Sequence, residues 1–313
     1  MTVATVINPG LFTTIQDLGR SGKRHLGVPL SGAADPVSYV LANVAAGNPW
    51  NAPALECTLK GPVLRFERNV TFALSGADMS ATLNNGALHS HQPFDAKKGD
   101  LLSLSAAKTG ARCYIAFAGG IEGDEFLGSR STYPPASLGG IGGRAVMEND
   151  RLFSAALKAG AGTEIPHALR MSLAHAFVLR ATAGPESMLF SNDLQLFFAG
   201  KWTAGRRADR MGVQLEGTKM IAEKHVSMAS SPVFPGTVQC PSGGTPFLLL
   251  ADAQTVGGYP RIAQVIGADI HLTGQIRPGD AIWFRKTTYA EAREIGRKKA
   301  VLFEGFVPRS CFL

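Results

Sequence analysis

Cysteine is scarce in this chain. Among 313 residues there are four, Cys57, Cys113, Cys240 and Cys311, and no two form a Cys-x-x-Cys pair. That dispersal argues against a zinc site and fits a reducing, cytoplasmic setting. Long apolar runs are also missing: none approaches the roughly 20 residues a membrane helix needs. Met1 to Val6 shows no basic stretch leading into an apolar core, so neither a signal peptide nor a membrane role is expected. The Gly-x-x-x-x-Gly-Lys-Ser/Thr loop that cradles phosphates is absent, and so is the Gly-x-Ser-x-Gly elbow that would favour a Ser-His-Asp hydrolase. Charged residues make up only 18%, but apolar ones reach 45%, enough for substantial cores and unlike a disordered chain.

The charge that is present sums to +7. It is scattered, with one cluster at Arg293 and Arg297-Lys-Lys299. No nucleic-acid-binding signature accompanies it, so we read a solvated helix face, or else a docking surface for an acidic partner. His89 and His91 flank one serine near a hairpin. They lack a third metal ligand, so exposed side chains are expected and no metal. Cys240 reads as a small apolar filler rather than a catalytic thiol, since nothing near it in sequence lowers its pKa.

Short segments rich in Val, Ile, Leu, Phe and Thr recur between Gly, Pro, Asn and Asp. Examples are 63–66, 70–74, 101–104, 113–117, 177–180, 247–250 and 281–284. This rhythm predicts a mainly β protein of barrels or sandwiches. Asn84-Asn-Gly86 reads as a hairpin turn. Helices are expected from Asp35 to Gly47 and from Ser191 to Gly200, each with a capping residue at its start and Gly past its end. A third is expected from Thr288 to Leu302.

A chain of this length exceeds what one core usually serves. Two related halves are suggested by an internal echo. Leu59 and Gly61 follow the first helix as Leu215 and Gly217 follow the second, and Gly99-Asp100 has a counterpart in Gly279-Asp280. The stretch 158–166 is linker-like, so the expected domains are 1–165 and 166–313, the second carrying the C-terminal helix.

Two Gly/Pro clusters, Phe234 to Pro246 and Ala251 to Pro260, bracket the apolar run Phe247 to Leu250. That run predicts a buried strand whose ends surface at a rim. Gln239, Asp252, Gln254, Thr255 and Tyr259 then gather there, and Gln239, Asp252 and Tyr259 are expected to line one pocket. Asp209-Arg210 reads either as an ion pair at a turn or as an acid beside an anion clamp. Gly139 to Arg144 matches neither a P-loop nor a dinucleotide fingerprint, although Arg130 and Arg144 suit a carboxylate or phosphate.

These motifs, in this order, resemble one family. Gly10 to Arg20, Leu26 to Asp35, Ser75 to Asp78, Gly128 to Thr132, Gly139 to Arg144, Asp209 to Gly212, Leu215 to Gly217 and the two C-terminal loops are similar to the biotin-dependent carboxyltransferase-like family. That family includes the C subunit of 5-oxoprolinase (KipA-like, also labelled allophanate hydrolase subunit 2) and part of urea amidolyase. The likeness runs over roughly residues 8–285. The chain departs from the family pattern at Cys240, Thr245 and Ala253, positions that bear on fine substrate contacts.

The resemblance implies two tandem cyclophilin-like β-barrel domains with a few short helices. It implies one component of an ATP-dependent 5-oxoprolinase, a hydrolase that opens 5-oxoproline to glutamate and is active only as a hetero-oligomer. The partners would be a KipI-like subunit together with a LamB/YcsF-like one, with ATP used at the level of the complex. Two alternatives stay open. One is the carboxyltransferase component of a biotin-dependent urea carboxylase or allophanate-type system. This chain has no Ala-Met-Lys-Met sequence, so biotin would arrive on a separate carrier. The other is a non-catalytic regulatory module acting with the KipI-like partner.

Lactam opening and carboxyl transfer share a demand: negative charge on an amide-like oxygen must be stabilised. Gln239, Gln254, Tyr259 and Arg210 are the candidate donors. Asp252, Asp209 and Asp35 are the candidates for moving protons. Ser31, Asp35, Gln254, Thr255, Arg130 and Arg144 are the candidate substrate contacts.

Overall fold

The structure, a computed structural model, describes residues 1–222 and 228–312. Strands dominate, and the chain divides into two compact units. The first comprises 1–20, 31–173 and 305–308; the second, among the described residues, comprises 21–30, 174–222, 228–304 and 309–312.

In the first unit the strands form two sheets. One runs in the order Arg151–Phe153, Thr2–Asn8, Val63–Phe66, Leu101–Ser103, Thr82–Leu83, Gly86–Ala87. The other runs Phe12–Gln16, Ala54–Thr58, Thr109–Phe117, Val70–Asp78, Pro93–Ala96. One apolar cluster joins them, with Val3, Leu64, Phe66 and Leu102 from the first sheet meeting Leu55, Phe72, Ile115 and Phe117 from the second. Asn84 and Asn85 both take left-handed φ values, 49° and 69°, which gives the expected hairpin its twist-matched turn. Helix α1, Pro36–Ala45, starts where Asp35 accepts the Ser38 N–H at 2.9 Å and lies against Val70–Asp78 and Thr109–Phe117. There Tyr39 meets Tyr114 edge to face.

The second unit closes a seven-stranded barrel. Its order is Ala176–Ala183, Arg261–Val265, Thr237–Gln239, Phe247–Leu249, Gly212–Glu216, Lys201–Ala208, Ala281–Lys286, with the last strand parallel to the first. Closure leaves no free edge, and Leu179, Trp202, Leu215, Val238, Leu248 and Ile282 are buried in its core. Helix α2, Ser191–Ala199, stacks Phe197 on Phe284 with ring centroids 4.6 Å apart. Helix α3, Ile270–Thr273, is a single turn. Helix α4, Tyr289–Leu302, begins with a reciprocal capping box between Thr288 and Glu291.

The internal echo has a geometric basis. In the first unit Asp100 accepts the Lys97 N–H, Gly99 donates to the Phe66 carbonyl, and Phe66 donates back to the Asp100 carbonyl. In the second unit Asp280 accepts the Arg277 N–H, Gly279 donates to Ala204, and Ala204 donates to Asp280. Gly99 and Gly279 have nearly the same left-handed φ, 93° and 91°.

Four local expectations change. The stretch 158–166 is not a free linker: Gly160 donates to the Gly47 carbonyl, Thr163 to Ala45 and Ile165 to His91. His91 is buried rather than exposed, 3.3 Å from the Ser75 hydroxyl, and burial lowers its pKa to about 4. Helix α2 has Phe190 at its cap position with no side-chain bond there, and Asp193 instead accepts the Ile221 N–H. In the basic cluster Arg297 and Lys298 are solvated and pair with Glu294, but Lys299 turns inward to the Ala268 carbonyl.

Candidate functional site

The run Phe247–Leu249 is a barrel strand, and it pairs with Thr237–Gln239 through Val238 opposite Leu248 and Gln239 opposite Phe247. The return between them is tight because Gly244, at φ 78°, donates to the Pro241 carbonyl. On the other flank of Gln239 the pairing with Arg261–Val265 slips by one residue between Val238 and Gln239. A bulge of this kind turns a side chain away from the regular pleat.

A cavity of about 690 Å³ opens beside this strand end, within the range of small-molecule sites. Met211, Phe247 and Leu249 give it apolar wall, and Gln239, Gln254, Tyr259 and Asp209 give it polar groups. The two amides are linked: Gln254 Nε2 donates to Gln239 Oε1 at 3.2 Å, and Gln239 Nε2 donates to the Tyr259 carbonyl at 3.1 Å. Gly257 packs on the Gln239 amide so closely that a Cβ there would stand 2.7 Å from Nε2. Arg24 ties down the neighbouring loops by donating to the Val233 and Gln254 carbonyls while lying over the Phe234 ring.

Asp252 does not join Gln239 and Tyr259 on the cavity wall. Its carboxylate takes Nε and Nη2 of Arg210 at 2.8 and 3.0 Å, and both side chains are buried. The arginine thus pairs across to the next loop rather than with Asp209. Asp209 closes its own turn by accepting the Met211 and Gly212 N–H groups. Thr255 contributes its carbonyl to Val233 and does not line the cavity. Burial pushes the Cys240 thiol up to about 12, which suits a packing residue.

The remaining candidates belong to the first unit, while this cavity is lined from the second alone. Asp35 caps α1, and its own N–H donates to the Tyr114 hydroxyl, which in turn donates to the buried Glu56. Ser31 is buried in a left-handed turn, φ 52°, and its hydroxyl has no partner among the described residues. Arg130 sits 3.8 Å from Glu125, and its backbone N–H goes to Asp17. Asp17 also gathers the Ser129 and Ser131 hydroxyls and the Gly19 N–H, so this motif stitches two loops together. Arg144 is held bidentately by Asp150.

The glycine loop 139–144 does not fit a triphosphate. Gly140 donates to the Arg130 carbonyl, Gly142 to the Asp124 carboxylate and Gly143 to the Gly139 carbonyl, so these donors are already engaged. Gly139, Gly140 and Gly143 serve close packing: a Cβ on Gly143 would stand 2.0 Å from the Ser137 carbonyl carbon. Sequence reading missed Arg206, Arg207 and Met211 as lining residues. The Arg-Arg pair inside Lys201–Ala208 was the available signal.

The chain is 36% identical to the 5-oxoprolinase C subunit of Escherichia coli over 300 residues, covering 96% of each. It is 33% identical to the 5-oxoprolinase C subunit of Haemophilus influenzae over 297 residues, covering 93% of each. Among solved structures it superposes on the urea amidolyase of K. lactis with a TM-score of 0.91 and 32% identity. That match covers 99% of this chain but 20% of the larger one. Residues 26–286 match the carboxyltransferase domain with subdomains A and B, and the chain belongs to that family.

Proposed function

We propose that this chain is the C subunit of an ATP-dependent 5-oxoprolinase, hydrolysing 5-oxoproline to L-glutamate together with LamB/YcsF-like and KipI-like subunits. One observation carries this reading: the chain matches the two relatives that bear the 5-oxoprolinase name almost from end to end. The cavity supports it chemically. As a lactam opens, charge collects on the amide oxygen, and a donor such as the second N–H of Gln239, whose amide is held by Gln254 and the Tyr259 carbonyl, or the Tyr259 hydroxyl stabilises that charge. The Gln239–Gln254 link and the Gly257 contact hold the first amide in place. Arg210 and Asp252 act by fixing the loop from which Gln254 and Tyr259 reach the cavity. ATP belongs to the assembled complex in this reading, since the glycine loop spends its donors internally, and no step here is assigned to it.

The second reading is the carboxyltransferase component of a biotin-dependent system, favoured by the whole-chain superposition on urea amidolyase. A biotin ureido ring on a separate carrier would meet the same Gln239 and Gln254 amides. One experiment separates the two. Glutamate release from 5-oxoproline and ATP is measured with this chain alone, with the KipI-like partner, and with both presumed partners. We expect release only from the full set. Full turnover by the chain alone, or none from the full set alongside carboxylation of urea by a biotinylated carrier, contradicts the proposal.

A further inference from the structure

The cavity in the second unit carries a positive charge that the lactam chemistry alone does not call for. Arg206 and Arg207 are consecutive residues of Lys201–Ala208, and both line it. On a regular strand, neighbours point to opposite faces. Here the pleat is broken: Ala204 pairs with Leu215 and Ala208 with Val213, so residues 205–207 stand against Gln214 alone. A bulge of this size brings two successive side chains to one cavity. Other arginines of this unit spend their charge on carboxylates, Arg180 on Asp269, Arg210 on Asp252 and Arg261 on Glu186. Arg206 and Arg207 are exposed and have no such partner among the described residues. The nearest acid in sequence, Asp209, is engaged by two backbone N–H groups.

We propose that Arg206 and Arg207 make this cavity a site for a small carboxylate borne on an amide or lactam, and set its preference over neutral amides of similar size. The inference rests on the oxoprolinase reading for the identity of the ligand, and on geometry for its charge. A guanidinium pair recognises a carboxylate through charge-assisted hydrogen bonds. The linked Gln239 and Gln254 amides suit the ring amide, and Phe247, Leu249 and Met211 suit its methylene edge. 5-Oxoproline combines these features. Urea has only the amide, and 2-pyrrolidinone has the ring without the carboxylate.

Calorimetric titration of the whole chain, and of its complex with the presumed partners, tests this with four probes: 5-oxoproline, N-acetylglycine, 2-pyrrolidinone and urea. We expect 5-oxoproline to bind about tenfold or more tightly than 2-pyrrolidinone, with the advantage shrinking at high salt. Arg206→Gln with Arg207→Gln should erase that advantage and raise KM for 5-oxoproline in the assembled enzyme without a matching fall in kcat. Equal binding of the acid and the neutral ring overturns the proposal, and so does absence of carboxylate binding in both samples. If the double variant keeps wild-type KM while turnover persists, the arginine inference fails and the oxoprolinase reading survives. If N-acetylglycine binds in an arginine-dependent way and 5-oxoproline does not, the carboxylate site stands and the oxoprolinase reading fails.

Discussion

Arg210 and Asp252 are buried, with side chains 6% and 3% exposed, and they face each other through two hydrogen bonds. Asn in place of Asp252 takes the charge out of both bonds inside a buried site. Asp252→Asn should therefore destabilise the protein by about 1.5–3 kcal/mol, read from urea unfolding. An unchanged midpoint would contradict a structural role and return Asp252 to proton transfer. The sequence placed Asp252, Gln239 and Tyr259 in one neighbourhood, because two turn clusters around a buried strand dictate that much. It did not reveal that Asp252 faces Arg210, since a contact between two loops leaves no local pattern. Pairing between strands distant in the chain is equally silent: Tyr114 donates to Glu56, and the backbone of Cys57 is in register with that of Cys113.

At the scale of elements, turn chemistry was the most legible feature. Asn84-Asn-Gly86, the Asp35 cap and the two Gly-Asp turns each act within a few residues, so sequence and geometry agree. The segment 158–166 was misread because Gly and Ala suit a flexible linker and a tightly docked backbone equally well. His91 anchors it, taking the Ile165 N–H on its carbonyl while its own N–H goes to Leu74. Burial holds the imidazole neutral, with a pKa of about 4 against an ordinary 6.5, and Arg170 adds to the shift. Below pH 6.5 the unfolded chain takes up a proton that the folded chain refuses. Stability from this group is thus complete above pH 6.5 and drains away as the pH falls toward 4, by about 3 kcal/mol in all. His91→Gln should flatten that part of the pH profile in denaturant titrations. A profile with the wild-type slope contradicts the buried neutral histidine.

For the whole molecule, the mainly β architecture was legible from strand rhythm, and family membership from motifs spread over both halves. Several first-half motifs, such as Gly128 to Thr132, turn out to hold loops together around Asp17 rather than line this cavity. We propose 1–165 and 166–313 as two domains able to fold separately. Fragment 166–313 lacks Arg24, which bonds the Val233 and Gln254 carbonyls. It should therefore fold its barrel yet exchange amide protons faster in 232–236 and 252–256 than the full chain does. A fragment that fails to fold contradicts the domain proposal, and equal protection contradicts the role of Arg24. The central claim is that the Gln239 cavity is where the lactam is opened, and the most direct measurement is glutamate release by the reconstituted complex carrying Gln239→Ala. Loss of a preset donor predicts a fall in kcat of about 10²–10³, with assembly intact and an unfolding midpoint lowered only by the loss of its two hydrogen bonds. Wild-type turnover from that variant would contradict the account.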